Sequence, residues 1–522
     1  MRKFALIFVA ICSFICKFSF VQAQNKLSEV IVKGAVGHKA LPPEQIIDTL
    51  SKYINSPKTN KKELGPVYFL RAEAYRTTRQ FDKAYQDYNK ALQIGGDAGY
   101  IKSARWNRGL SSEALNHLPE AITDFKEVLS KYPNTDSTDK STLYSNIAFD
   151  QYRLKMADSS SVNDSLAIGY SSKNSRAYNL RGLIDMTKKN YEQAITDFTR
   201  SIELYRDFNN TLQLSAWYTF LGDARRYNKQ YKEAINNYSF ALKLNPDNGT
   251  AYWNRAAAYF KHKDYELAAA DYSKAMTYYA GQNIALSRLY DERAMNEMGQ
   301  NLLTKAIQDD SLSITLDPKY KPAYLNLADI YTQNAEYQKG IDLYKTLLTF
   351  QKDNNKLNSF LYYQIANNEY FLSEFNNVVD HCTTAIALDS DNGDAYFYRA
   401  KVYFKKLNKK DLAIVDFNKV MALDTTHKSV NYIFSLFFTG KGDEAADLLQ
   451  KDIVNTTDEI VLLQDYYNLA CLYSLMNKPD EANNYLKMSI DRGYAKKYAA
   501  ADEDLDNIGN TAEYKATIGD GK

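Results

Sequence analysis

Residues 215–248 read SAWYTFLGDARRYNKQYKEAINNYSFALKLNPDN, and residues 249–282 read GTAYWNRAAAYFKHKDYELAAADYSKAMTYYAGQ. Laid one over the other, Tyr218 falls on Tyr252, Gly222 on Ala256, Tyr231 on Tyr265, Ala234 on Ala268, Tyr238 on Tyr272 and Ala241 on Ala275, all at one constant offset. A period of about 34 residues marks stacked repeats, in which a single helical hairpin cannot bury its own apolar face and relies on its neighbours. Within a copy, Ala234, Tyr238 and Ala241 follow a spacing of four then three, which puts all three on one helical face. Small residues where helices cross allow close approach, and the ring fills the groove alongside.

Working outward, twelve such units can be placed, starting near Gly65, Lys102, Ser141, Ser175, Ser215, Gly249, Ser287, Lys321, Ser359, Gly393, Thr426 and Leu463. From Ser141 to Gly393 the same interval alternates with one four to six residues longer. The additional residues, 209–214, 283–286 and 355–358, are compatible with helix, and four residues make about one turn. First helices at Ser215, Ser287 and Ser359 are therefore expected to start about a turn early, which makes a pair of repeats the building block. Two units depart from the pattern. The Ser-rich stretch Asp158 to Asp164 replaces the second-helix signature of the third unit, so a helix there is in doubt, and the unit near Thr426 keeps only Ala445 and Leu449 clearly.

Composition agrees with one continuous helical array. The 522 residues hold only 10 prolines and 21 glycines, so no linker divides them, while the 43 tyrosines suit a thin two-layer architecture where a ring is buried and its hydroxyl stays near water. Met1 to Ala23 reads as a secretory signal peptide, with Arg2 and Lys3 ahead of an apolar run and Val21-Gln22-Ala23 as a small-residue cleavage site. Cleavage near Ala23/Gln24 would leave a periplasmic or secreted protein. Cys12 and Cys16 each follow Ile, not the small residue that lipidation requires. Removing the three basic residues of the leader takes the formal charge from +2 to −1, which excludes a polyanion or nucleic-acid binder. Residues 24–43 form a loose N-terminal arm, in which Val30-Ile31-Val32 offers a strand; 44–64 a capping helix opened by Pro42 and Pro43; 65–496 the repeats; and 497–522 a C-terminal cap and tail whose acids, Asp502 to Asp506, are expected to make a polar cap. Cys382 and Cys471 sit within helix patterns and read as packed thiols.

The pattern resembles the tetratricopeptide repeat. It shows in Tyr324, Leu327, Ala328 and Tyr331, in Gly109, Ala121, Phe125 and Pro133, and in Tyr178, Gly182, Ala194 and Phe198. The resemblance implies an all-α fold, a right-handed superhelical solenoid of about twelve antiparallel helix pairs, whose first helices line a concave groove that takes peptides or protein segments. Carrying over the groove positions points to Trp106, Phe149, Tyr152, Trp253, Phe260, Tyr363 and Phe397, together with Phe69, Phe360, Tyr370, Phe404 and Tyr467. Trp106 and Trp253 lead this set. Each ring has an alternative role as packing against the next repeat. Asn107, Asn146, Asn254, Asn326 and Asn468 share the sixth position of their units, where the family holds a peptide backbone with such amides; a hydrogen bond between neighbouring helices is the competing role. The family's clamp for a C-terminal carboxylate finds no three units that supply its Lys, Asn and Arg.

Catalysis finds no support. His38, His117, His262, His381 and His427 lack metal-ligand spacing, and neither a phosphate-binding glycine loop nor a GxSxG elbow occurs, so no catalytic residue, metal or cofactor is expected. The reading is a non-enzymatic scaffold or adaptor for a protein or extended peptide, not membrane-spanning. A carbohydrate or peptidoglycan-fragment binder using the same rings, and a structural subunit of an envelope complex, stand as alternatives.

Overall fold

The computed structural model describes residues 42–56, 64–205, 210–350 and 354–519, so the signal-peptide expectation and residues 24–41 of the expected arm lie outside the described residues. The contacts divide the chain into two units, Met1–Lys263 and Asp264–Lys522. Both are all-α solenoids of helix pairs, with no strand among the described residues. Among the described residues, twelve first-and-second helix pairs follow in sequence, from Leu64–Thr77 with Phe81–Ile94 to Glu459–Leu475 with Pro479–Asp491. A separate helix, Pro43–Ile54, packs on the first helix of the first pair.

The four-then-three spacing is the seam of each pair. Ala84, Tyr88 and Ala91, Ala194 and Phe198, and Ala234, Tyr238 and Ala241 are fully buried in the first unit, as are Cys382 and Ala385, and Ala413 and Phe417, in the second. The central ring lies against the first helix where only a small residue fits. A Cβ on Gly109, Gly182 or Gly222 would stand 2.7, 2.7 or 2.5 Å from the ring of Phe125, Phe198 or Tyr238. The turn from first to second helix repeats too: Arg79, Asn116, Lys155, Lys189 and Lys229 all adopt positive φ, between 59° and 64°.

First helices alternate in length as the spacing predicts. Ser137–Arg153, Thr211–Tyr227, Asn283–Gly299 and Asn355–Phe371 have 17 residues, whereas Ser175–Thr187, Gly249–His262, Lys321–Gln333 and Gly393–Lys405 have 13 or 14. A serine in three of the four long helices ties it to the short helix that follows. Buried Ser141, Ser215 and Ser359 donate from Oγ to the carbonyls of Ala167, Ala241 and Ala385 at 2.7–2.8 Å. They accept in turn from Nδ2 of Asn174, Asn248 and Asn392 at 2.8–3.0 Å. Each of these asparagines also caps the following short helix, its Oδ1 taking the backbone N–H of Ala177, Ala251 or Ala395. One amide thus fixes where the short helix begins relative to the long one.

Two expectations are corrected. The Ser-rich stretch is a full helix, Ala157–Tyr170, because small Ser160 and Ala167 occupy the crossing positions, and Ser160 Oγ bonds the Ala148 carbonyl at 2.7 Å. Asp164 takes the ring position and is buried; among the described residues neither of its carboxyl oxygens has a hydrogen-bond partner. The tail packs on the last repeats but is not purely polar, since Asp504 is 8% exposed and Leu505 and Ile508 enter the core there.

Candidate functional site

Polar side chains first hold the repeats together, and what they leave over sets the exposed surface. Arginines on first helices form forks with aspartates on their own second helices. Arg71, Arg108, Arg181, Arg293 and Arg399 each donate through Nε and Nη2 to both oxygens of Asp87, Asp124, Asp197, Asp309 and Asp416, at 2.5–2.9 Å. Several reach back as well, Arg71 to Ser51, Arg108 to Asn89 and Arg293 to Ser273 through Nη1. The five aspartates are 1–5% exposed, so these are buried bidentate pairs. The sequence carries the signal as an Arg followed by an Asp 16 or 17 residues later, a spacing that plays no part in the pattern of rings and alanines.

Acids on first helices form a second set. Asp223 accepts from Tyr238 Oη at 2.7 Å and from Asn254 Nδ2 of the next repeat at 2.8 Å. Glu73 does the same with Tyr88 and, at 2.5 Å, with Asn107. In the second unit Asn326 Nδ2 donates to Asp291 at 2.8 Å. Asn107, Asn254 and Asn326 therefore link neighbouring first helices, which is the competing role, and their amides face an acid of the preceding repeat. Burial pushes the Asp223 carboxyl up to about 6, against the opposing effects of Tyr238, Arg226 and Asn254.

The expected groove residues separate accordingly. Asn146 and Phe397 are buried, at 2% and 8% exposure, which removes them from any surface: Asn146 Oδ1 accepts from Arg176 at 3.2 Å, and Phe397 packs edge-on to Phe417. Phe69 and Tyr467 are buried as well, and Asn468 is 5% exposed. Trp106 is half-buried over the cluster of Ala121, Phe125, Leu143 and Ile147, with Lys102 at 6.0 Å from its ring. Phe149 lies under the guanidinium groups of Arg153 and Arg176, and Tyr363 stands edge-on to Tyr398. Trp253 and Phe260 are half-buried, Phe260 with Lys261 at 5.2 Å. Of the expected set, Tyr152 lines an open hollow of about 400 Å³ in the first unit, shared with Leu183, Met186, Tyr191, Phe220, Asp223 and Tyr227. Tyr227 is 51% exposed, stacked on Tyr191 at 5.6 Å with Arg226 above it at 4.4 Å.

In the second unit the corresponding first-helix surface already carries a protein segment. The turn Glu503–Leu505 is seated there, 97 to 133 residues along the chain from the lysines and the tyrosine that it meets. Tyr370 Oη donates to Glu503, Lys406 Nζ reaches Glu503 at 2.6 Å, Lys405 pairs with Asp504, and Tyr467 Oη donates to Asp502 at 2.7 Å. Lys401 lies 3.5 Å from Asp504. Glu503 is held down to about 2: burial would raise it, but Lys406, Tyr370, Lys405 and Lys401 outweigh that. No motif in the sequence announces this contact.

Among the described residues no group of His, Cys, Asp or Glu is arranged to hold a metal ion, and no helix is long and apolar enough to cross a membrane. His381 Nδ1 meets Glu369 at 2.7 Å, and Cys382 and Cys471 are buried and free.

A family model described as TPR repeat matches residues 222–263, and models described as tetratricopeptide repeat match 65–94, 103–135, 175–208 and 322–354. Those five segments are tetratricopeptide repeats. Tetratricopeptide-repeat proteins generally act as protein-interaction scaffolds or adaptors and are generally non-enzymatic. Over 198 residues the chain is 29% identical to stress-induced-phosphoprotein 1 of Caenorhabditis elegans, covering 33% of this chain and 61% of that protein. Over 199 residues it is 24% identical to a DnaJ homolog subfamily C member 7 homolog of Dictyostelium discoideum, covering 38% and 31%. The chain thus spans between about a third and three fifths of these relatives. Among solved structures, yeast Tom70 aligns over 88% of this chain and all of its own at 14% identity, with a TM-score of 0.39.

Proposed function

We propose that this tetratricopeptide-repeat chain is a non-enzymatic scaffold that binds extended segments of other proteins on the exposed face of its first helices. The observation that carries the reading is the seating of Asp502–Asp504 on first helices of the second unit by side-chain hydrogen bonds and ion pairs. The same kind of surface in the first unit offers an open hollow with apolar walls, Tyr152, Leu183, Met186 and Phe220, lined also by Lys189 and Asp223. Burying one or two apolar side chains of a partner there, at about 1.5–3 kcal/mol each, supplies affinity, and the rim charges supply orientation. The composition of residues 1–23 supports export, so the scaffold is proposed to work outside the cytoplasm; sequencing the N-terminus of the protein recovered from fractionated cells checks that part.

The test is parallel display of random peptides and of glycans to the full chain and to Tyr152→Ala/Met186→Ala. The scaffold reading expects selected peptides whose binding the double variant weakens at least ten-fold while helical circular dichroism is unchanged. Selection of glycans in place of peptides, or recovery of neither from a protein purified only within a stable envelope complex, contradicts it.

A further inference from the structure

Lys401, Lys405 and Lys406 cluster at the end of the first helix Gly393–Lys405 and the residue that follows it. Among the described residues, the acids within 4.0 Å of these three ammonium groups are Glu503 and Asp504. Lys401 and Lys405 are 18% and 16% exposed. Tyr370, from the preceding first helix, directs its hydroxyl into the same place, and Tyr467, from the last one, receives Asp502. Three first helices thus converge on three consecutive carboxylates of the tail. Without them, three neighbouring ammonium groups would have no acid within 4.0 Å among the described residues, an arrangement that favours an anionic occupant.

We propose that these lysines and tyrosines form a receptor for an acidic segment of a partner protein, two or three consecutive carboxylates followed by a leucine, and that the chain's own Asp-Glu-Asp-Leu occupies it in cis as a competitor. The inference rests on the scaffold reading above and names the partner chemistry of one of its surfaces. The tail has the parts of a latch. Leu505 and Ile508 are anchored in the core and Tyr494 stacks on Tyr467 at 3.9 Å, so the occupied state is the ground state. Gly493, at φ 105° with open space around it, stands between the last repeat and the tail and provides a place to hinge. A partner's segment meets the site only in the fraction of molecules whose latch has lifted, and its apparent affinity is reduced by that fraction.

The probe is a fluorescein-labelled peptide of residues 500–508, Ala-Ala-Asp-Glu-Asp-Leu-Asp-Asn-Ile, with a control carrying Asn-Gln-Asn in place of Asp-Glu-Asp. Fluorescence anisotropy with the full chain and with Asp502→Asn/Glu503→Gln/Asp504→Asn compares the two states. The triple variant is expected to bind the acidic peptide at least ten-fold more tightly than the unaltered chain and to ignore the control. Adding Lys401→Gln and Lys405→Gln should abolish the gain, and raised salt should weaken it. A folded triple variant with no gain overturns the proposal. Should that variant not fold, hydrogen exchange of the unaltered chain decides: excess acidic peptide should speed exchange across residues 503–508, and no change overturns the latch. Binding of displayed peptides through Tyr152 and Met186 is measured on the same preparations. If that persists while the tail variant gains nothing, the latch fails and the scaffold reading stands; if both are absent, the scaffold reading itself fails.

Discussion

Asp197→Asn should cut the stability of the fourth repeat by about 2–3 kcal/mol. Asp197 is 1% exposed and accepts from Arg181 Nε at 2.6 Å and Nη2 at 2.7 Å. Removing one member of a buried ion pair typically costs about 3–5 kcal/mol, mostly because the other charge is left uncompensated. Arg181 keeps a third of its side-chain surface in water, which lets the stranded guanidinium hydrate and brings the figure just below that range. Asparagine retains the shape and one acceptor, so packing is not at issue. Stability in a stacked array is a sum of repeat and neighbour terms, so the loss is local. Hydrogen exchange with mass spectrometry should show lost protection in Ser175–Thr187 and Tyr191–Leu204 before distant helices, and urea denaturation should give the energy. For contrast, Asp48→Asn at the exposed pair with Lys52 should change stability by no more than about 1 kcal/mol. The reasoning is refuted if Asp197→Asn costs under about 0.5 kcal/mol, or if Arg181→Met with Asp197→Leu is as damaging as Asp197→Asn alone.

Gly222→Ala should destabilise by about 1–3 kcal/mol in the same denaturation assay, since its Cβ would stand 2.5 Å from the Tyr238 ring. Ser359→Ala removes the donor to the Ala385 carbonyl and the acceptor for Asn392, and should cost about 1–3 kcal/mol, read as a lowered urea midpoint. The melting temperature should fall as pH rises from about 4 toward 9. Burial first, and neighbouring acids second, raise Asp150 to about 7 and Asp310 to about 9, and burial raises Asp164 to about 8. A carboxyl whose folded pKa lies above its ordinary value of 3.8 favours the folded state fully below 3.8 and loses that contribution as pH climbs through the folded pKa. Asp310→Asn should flatten the profile in circular-dichroism melts. Below about 4.5 the trend reverses at the tail, because Glu503, held down to about 2, gives up its contribution as it is protonated.

The repeat, the pairing and the element order were legible because each is periodic: a Tyr or Ala that recurs once per repeat reports the same local packing many times over. The second helix of the third repeat was obscured since Ser160 and Asp164 replace the usual small residue and ring, yet size at the crossing position is what the packing demands. The asparagines were visible at a common position, while their partners, Glu73, Asp223 and Asp291, sit 31 to 35 residues earlier on another helix, so position alone did not separate a ligand-binding amide from a linking one. Phe397 and Tyr152 were equivalent as groove aromatics; neighbours from other helices bury the first and leave the second beside the hollow. The tail contact had no periodic trace at all, because Glu503 and Tyr370 are 133 residues apart.

The central claim, that protein segments bind the first-helix face, is tested most directly by hydroxyl-radical footprinting of the full chain with and without a peptide selected by display. The account predicts that the peptide protects Tyr152, Met186 and Tyr227 from oxidation and leaves Phe240, exposed on the second helix Tyr231–Leu244, unprotected. Protection of Phe240 with unchanged oxidation at Met186 and Tyr227 would contradict it.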